Sequence, residues 1–208
     1  MLGAIIALVN SFYRGERMNP SGENAKEKIL SAATKIAQAH GYGGLNLRNL
    51  AGDVGIKAAS LYYHFPSKAD LAAAVARRYW EDAAALLQAL KEESRDPLEC
   101  LRKYPVETFR KSLETDNRMC LASFMTAEYD DLPEIVKKEV QTFADVNVEW
   151  LSKALQAAKI ATPRDSKRRA RAIFAAIVGA QLMARGRSDI ALFDALIDAY
   201  RASGLLPA

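Results

Sequence analysis

Apolar residues recur at helical spacing from Glu23 onward, and no stretch shows the strict alternation of a strand. Ile29, Ala33, Ile36 and Ala37 form one stripe, predicting a helix over Glu23 to His40 that Gly41 ends. Asn46 stands where an N-cap belongs, before a short helix, Arg48 to Val54. Gly55 stops that helix, and Ile56 reaches back into the core it packs on. From Ala58 to His64 the pattern is helical again, with Leu61 and Phe65 four apart on one face. Lys57, Ser60, Tyr63 and His64 are left to point elsewhere. Pro66 closes this helix, and Ser67 caps the next, which carries Asp70 in its first turn where the helix dipole favours an anion. Leu45, Leu47, Leu50 and Val54 complete a three-helix core with Ile56, Leu61 and Phe65. Two short helices joined by a tight glycine turn make a helix-turn-helix, whose second helix fits the DNA major groove.

The rest of the chain also reads as helix. Lys68 to about Glu92 packs through Leu71, Val75, Tyr79, Leu86, Leu87 and Leu90. A single helix leaving the DNA-binding unit and continuing into the next domain is a mechanical lever. Asp96-Pro97 opens a helix to about Leu113, and Pro105 inside it predicts a kink. After the break at Thr115-Asp116-Asn117 comes a short apolar helix, Arg118 to Tyr129. Asp130 to Pro133 turns into a long helix ending near Ile160, with Val136, Val140, Phe143, Asn147, Trp150 and Leu151 on one face. Thr162-Pro163 precedes a helix that begins with a basic cluster, Lys167, Arg168, Arg169 and Arg171. From Ala172 to Ala184 that helix is apolar except for Gln181, so it is expected to be buried on both sides. One side suits the domain core and the other a second subunit. With the last helix, Ile190 to Ala202, it would form a four-helix bundle across a homodimer.

Composition adds limits. The chain has 208 residues, half of them hydrophobic, enough for a real core. Its net charge is +4, and residues 1–70 hold eight Lys or Arg against five Asp or Glu, so the basic surplus lies with the helix-turn-helix. Cys100 and Cys120 make no disulfide framework, and a cytoplasmic protein is the simplest expectation. Met1 to Asn10 is apolar but too short to span a bilayer, and no membrane association is expected. It reads as an extension before the domain, with Met18 an alternative initiator. The expected division is an N-terminal extension over 1–22, a helix-turn-helix domain over 23–67, and a helical effector-binding and dimerisation domain over 68–208, about nine helices in all.

The run Leu61-Tyr62-Tyr63-His64-Phe65-Pro66-Ser67-Lys68, with Arg48-Asn49-Leu50-Ala51 and Gly55-Ile56 before it, resembles the DNA-binding domain of the tetracycline-repressor (TetR) family of bacterial transcription regulators. The resemblance is strong over residues 24–75 and holds elsewhere only in layout. It implies an all-α dimer that binds double-stranded operator DNA, with a small-molecule effector in the C-terminal domain. It places Arg48, Lys57, Ala58, Ser60, Tyr62, Tyr63, His64 and Lys68 at positions that meet DNA. Of these, Lys68 and the tyrosine hydroxyls suit phosphate oxygens, which set register but read no sequence. Arg48, Lys57 and Ser60 suit base edges, and the Ala58 methyl suits a thymine methyl. Ala58 and Ala59 depart from the larger, polar or proline residues common there, which leaves the operator sequence open. As core or cap residues, Tyr62 and His64 would fit the same pattern.

An effector pocket implied by the resemblance has aromatic and sulfur-bearing candidates: Tyr104, Phe109, Met119, Phe124, Met125, Phe143, Trp150 and Met183. All of them also suit plain core. Asn147 stands out because an amide on an apolar stripe needs a hydrogen-bond partner, whether ligand, backbone, water or dimer mate. Cys120 opens a Cys-Leu run similar to that of TetR-type sensors of electrophiles and oxidants, with Arg118 nearby to favour the thiolate. A small buried core residue is the alternative. No cofactor or metal is called for. With His40 and His64 the only histidines, catalytic pairs have almost no candidates, and an enzyme is not expected. The rival to a sequence-specific regulator, released by an inducer or by thiol modification, is a nonspecific architectural DNA binder.

Overall fold

A computed structural model describes residues 25–208. The expected N-terminal extension, its alternative initiator and the start of the first helix lie outside the described residues. Among those described there is no strand, and the chain forms two compact units.

The first unit comprises residues 25–82 and 121–143. Its helices are α1 (Ala25–His40), α2 (Leu47–Val54), α3 (Ala58–His64), the start of α4 (Lys68–Glu93), α7 (Leu121–Ala127) and the start of α8 (Glu134–Ala157). Ile29, Ala33 and Ala37 of α1 are buried with Leu50, Leu61, Leu71 and Val75, the residues expected from helical spacing. Met125 of α7 and Val136 of α8 are also fully buried. α1 packs against both α2 and α7. Tyr79 and Phe143 meet with ring centroids 5.3 Å apart. Apolar burial at about 25 cal/mol per Å2 is what holds so small a unit together.

The second unit comprises residues 83–120 and 144–208. It holds the remainder of α4 and α8, with α5 (Pro97–Pro105), α6 (Lys111–Glu114), α9 (Pro163–Arg187) and α10 (Ile190–Ala202). Asp96 caps α5 by accepting the Glu99 N–H at 2.9 Å. Pro105 brings no simple break. The helix passes through a π-helical turn, Val106–Arg110, and resumes as α6, a known way of absorbing a misfit in the hydrogen-bond ladder.

One expectation changes here. The short apolar helix begins at Leu121 rather than Arg118. Asp116 and Asn117 adopt left-handed backbone (φ 56° and 53°), and the Asn117 and Arg118 N–H groups close back on Leu113 and Ser112. The chain therefore leaves α6 through a turn, and residues 118–120 lie outside any helix. The stretch Ala172–Ala184 is buried on one side only in the single chain. Ile173, Ile177, Ala180 and Gln181 face the core, while Leu182 and Met183 are 56% and 51% exposed. Met183 thus lines no interior pocket in one subunit. Among the described residues, no helix is long and apolar enough to cross a membrane.

Candidate nucleic-acid interface and effector region

The helix-turn-helix follows from its caps. Asn46 Oδ1 accepts the Arg48 and Asn49 N–H groups at 3.0 and 3.2 Å, starting α2. Gly55 ends it in the left-handed region, φ 73°, and the Ile56 N–H closes on the Ala51 carbonyl at 3.0 Å. A side chain carrying Cβ would pay steric energy at that φ, so the sharp turn needs glycine. Ser67 Oγ accepts the Asp70 N–H at 3.1 Å and donates to Asp70 Oδ2 at 2.7 Å, starting α4.

These caps fix what α3 shows to solvent. Leu61 is fully buried and Phe65 nearly so, which anchors the inner face. Tyr63 is 84% exposed and Tyr62 43%. Lys57, Ala58 and Arg48 are exposed, and Ser60 and His64 half-buried. The His64 ring stands edge-on to Tyr63 at 5.3 Å. The expected DNA-facing residues of α2 and α3 are thus on accessible surface. The reading of Tyr62 as core fails, because nearly half of that side chain lies open to water.

Lys68 is engaged within the protein. Its Nζ donates to the Gly43 carbonyl at 3.3 Å and lies 4.4 Å from the centre of the Tyr42 ring. Burial pushes the Tyr42 phenol pKa upward. On the opposite side of the same turn, the Glu128 carboxylate accepts the Tyr42 and Gly43 N–H groups at 2.6 and 2.9 Å. A second charged cluster in this unit centres on Glu139, which is only 5% exposed. It accepts from Trp80 Nε1 at 2.8 Å and from Arg77 Nη2 at 2.5 Å. Arg78, 4% exposed, pairs with Glu27 at 2.7 Å and Asp82 at 3.5 Å. Residue spacing carried no signal for Glu128, Glu139 or Arg78, whose partners on other elements are far away in sequence.

In the second unit the effector candidates divide. Tyr104, Phe109 and Asn147 are buried, with Trp150 stacked on Tyr104 at 5.4 Å and Phe109 edge-on to it at 5.9 Å. The Tyr104 hydroxyl donates to Asn147 Oδ1 at 2.8 Å, so the amide on the apolar stripe finds a partner inside the protein. Burial, with the nearby Cys120, raises the Tyr104 pKa well above the ordinary tyrosine range. Met119 and Cys120 are buried as well. Phe124 and Phe143 belong to the first unit.

Cys120 is 1% exposed, and its N–H donates to Gln181 Oε1 at 3.0 Å. Gln181 Nε2 donates to the Phe109 carbonyl at 2.9 Å and to Ser112 Oγ at 2.5 Å. The lone polar residue of the apolar stretch is therefore the hub joining α9 to the π turn and to the non-helical segment before α7. Arg118 pairs with Asp116 at 3.3 Å, while burial and the charge of Arg118 lower the Arg185 pKa.

A separate groove of about 770 Å3 opens beside α4, α5 and α8 of this unit. Leu87, Cys100, Val146 and Trp150 form its apolar part, and Lys91 and Lys153 stand among its charged residues. Its size is that of small-molecule sites. Of the expected effector residues, only Trp150 lines it.

Comparison with known proteins gives the context of this geometry. The pattern of bacterial regulatory proteins of the tetR family matches residues 29–75, the segment containing α1 to α3 and the start of α4. The HTH-type transcriptional regulator LmrA of Bacillus subtilis (strain 168) is 35% identical over 82 residues, 39% of this chain and 44% of LmrA. The match thus spans less than half of that relative. The crystal structure of a TetR transcriptional regulator from Legionella pneumophila superposes with a TM-score of 0.81 at 27% identity, covering 88% of this chain and 98% of that one. A TetR-family transcriptional regulator from Agrobacterium tumefaciens gives a TM-score of 0.75 at 29% identity, covering 82% and 92%. Residues 29–75 thus carry the tetR-family pattern of bacterial regulatory proteins, and the whole helical layout is similar to that of solved TetR-family transcriptional regulators.

Proposed function

We propose that this protein is a homodimeric, sequence-specific DNA-binding transcriptional regulator, a repressor released from a palindromic operator by a small molecule. The observation that carries the DNA reading is the surface of α3. Tyr63 is 84% exposed beside exposed Lys57 and Ala58, while Leu61 on the opposite face is fully buried. An aromatic so exposed on a short helix anchored by buried Leu61 suits a partner surface, and helix-turn-helix units place their second helix in the major groove. Arg48, Lys57 and Ser60 would read base edges, and Lys68 with the tyrosine hydroxyls would hold phosphates.

The dimer reading rests on Leu182 and Met183, large apolar side chains exposed on α9. Ala191, Ala195 and Ala199 are exposed at four-residue spacing on α10 and would let a partner helix approach closely. The effector reading rests on the 770 Å3 groove beside Trp150. The near-complete burial of Cys120 favours packing over thiol sensing at that residue. Because effector and operator would favour different states, each would weaken the other by the same factor.

Selection of operators from random DNA tests the assignment of residues. Lys57→Ala or Ser60→Ala should change which sequences are retained, each altered base contact costing about 1–3 kcal/mol of discrimination. Lys68→Ala should weaken all sequences alike and lower the salt dependence by about one phosphate contact. An unchanged selection profile in Lys57→Ala and Ser60→Ala would remove both from base reading.

A further inference from the structure

We propose that Glu128 is a positioning residue for DNA binding: its carboxylate fixes the Gly41–Gly44 turn, and the turn holds the Lys68 ammonium at the start of α4. The proposal rests on the DNA-binding reading above. Glu128 takes the N–H groups of two consecutive peptide units, and Lys68 takes the carbonyl of the next. Glu128 Oε2 accepts the Tyr42 N–H at 2.6 Å and Oε1 the Gly43 N–H at 2.9 Å. On the Lys68 side, the Gly43 carbonyl accepts from Nζ at 3.3 Å, and the Tyr42 ring lies 4.4 Å from the same ammonium.

The turn is shaped for this carboxylate. Gly41 sits at φ +66°, and a Cβ there would stand 2.1 Å from Glu128 Oε2. Any other residue at that position would be strained in backbone and would displace the carboxylate. Hydrogen bonds from N–H groups to a carboxylate are about twice as strong as neutral ones, so the grip is firm. A lysine ammonium has three donors, and Gly43 takes one, leaving two for a phosphate. A long, flexible side chain held near its bound position loses less freedom when the phosphate arrives, which raises affinity without a new contact.

The test is operator affinity across a salt series for the wild type, Glu128→Gln, Lys68→Ala and the double variant, each checked for folding by circular dichroism. Glu128→Gln is expected to lower affinity about tenfold and to flatten the salt dependence by about one phosphate contact. In the Lys68→Ala background the same change is expected to do almost nothing, because the two act through one contact. Equal losses in both backgrounds, or none in either, would overturn the proposal. A wild type that binds no DNA would overturn it together with the DNA-binding reading, and is seen before any variant is compared. Amide exchange on the wild type needs no variant to fold. The exposed Gly43 N–H should exchange at least about tenfold more slowly than a free peptide, and exchange at the free rate would also overturn the proposal.

Discussion

The Tyr104 hydroxyl donates to Asn147 Oδ1 at 2.8 Å, and both side chains are buried, at 0% and 1% exposed. Each explains the other: a phenol and an amide are tolerable in an apolar interior because they pair. Removing one leaves the other to bear a desolvation cost, whereas removing both can be nearly neutral. Tyr104→Phe is therefore expected to lower stability by about 1–3 kcal/mol in urea unfolding. Adding Asn147→Leu should cost clearly less than the sum of the single changes. Strict additivity would show that the pair does not couple.

Gln181 serves three buried partners, the Cys120 N–H, the Phe109 carbonyl and Ser112 Oγ. Leucine fills similar volume but satisfies none of them. Gln181→Leu should destabilise the protein by at least about 2 kcal/mol, from buried groups each costing about 1–3 kcal/mol when orphaned. A calorimetric Tm equal to that of the wild type would contradict this hub.

Gly55 turns the chain between α2 and α3 at φ 73°, with open space where a Cβ would go. Gly55→Ala therefore meets backbone strain and no clash. It should cost about 1–2 kcal/mol of stability, and operator affinity should recover at temperatures where the variant is fully folded. Affinity lost even when fully folded would mean that the turn itself touches DNA.

Glu139 makes stability depend on acid. Its burial would raise the pKa, but hydrogen bonds from Arg77 and Trp80, with the Arg77 charge, outweigh that and hold the carboxyl below its ordinary value. A folded-state pKa below the unfolded one contributes stability that is present above the unfolded value. It is lost as pH falls through the depressed folded value. Urea unfolding followed by tryptophan fluorescence should show the wild type losing its advantage over Glu139→Gln between about pH 5 and pH 3. A constant difference across that range would remove Glu139 from the acid response.

The helix-turn-helix was legible because its information is local. Asn46, Gly55 and Ser67 act on backbone groups within three or four residues, so their roles can be read from spacing alone. The buried faces through Leu50, Leu61 and Leu71 follow from helical periodicity in the same way. The start of α7 was misplaced because its determinant is distant. Gln181, sixty-one positions away, takes the Cys120 N–H, a partner outside the helix ladder. Glu128, Glu139 and Arg78 do not stand out in the sequence, since neither a charge's burial nor its partner on another helix leaves a mark in local pattern. The exposed Leu182 and Met183 were anticipated only as part of an all-apolar helix, because periodicity does not separate a core face from one awaiting a partner.

The most direct test of the regulator reading is a titration of the purified protein against the DNA upstream of its own gene, with random DNA as competitor, at physiological salt. A sequence-specific regulator should prefer the upstream fragment by about a thousandfold or more, and the preference should fall when Lys57 is replaced by alanine. Equal binding to both DNAs, at upstream and at operator sequences selected from a random pool, would contradict the account and leave an architectural DNA binder.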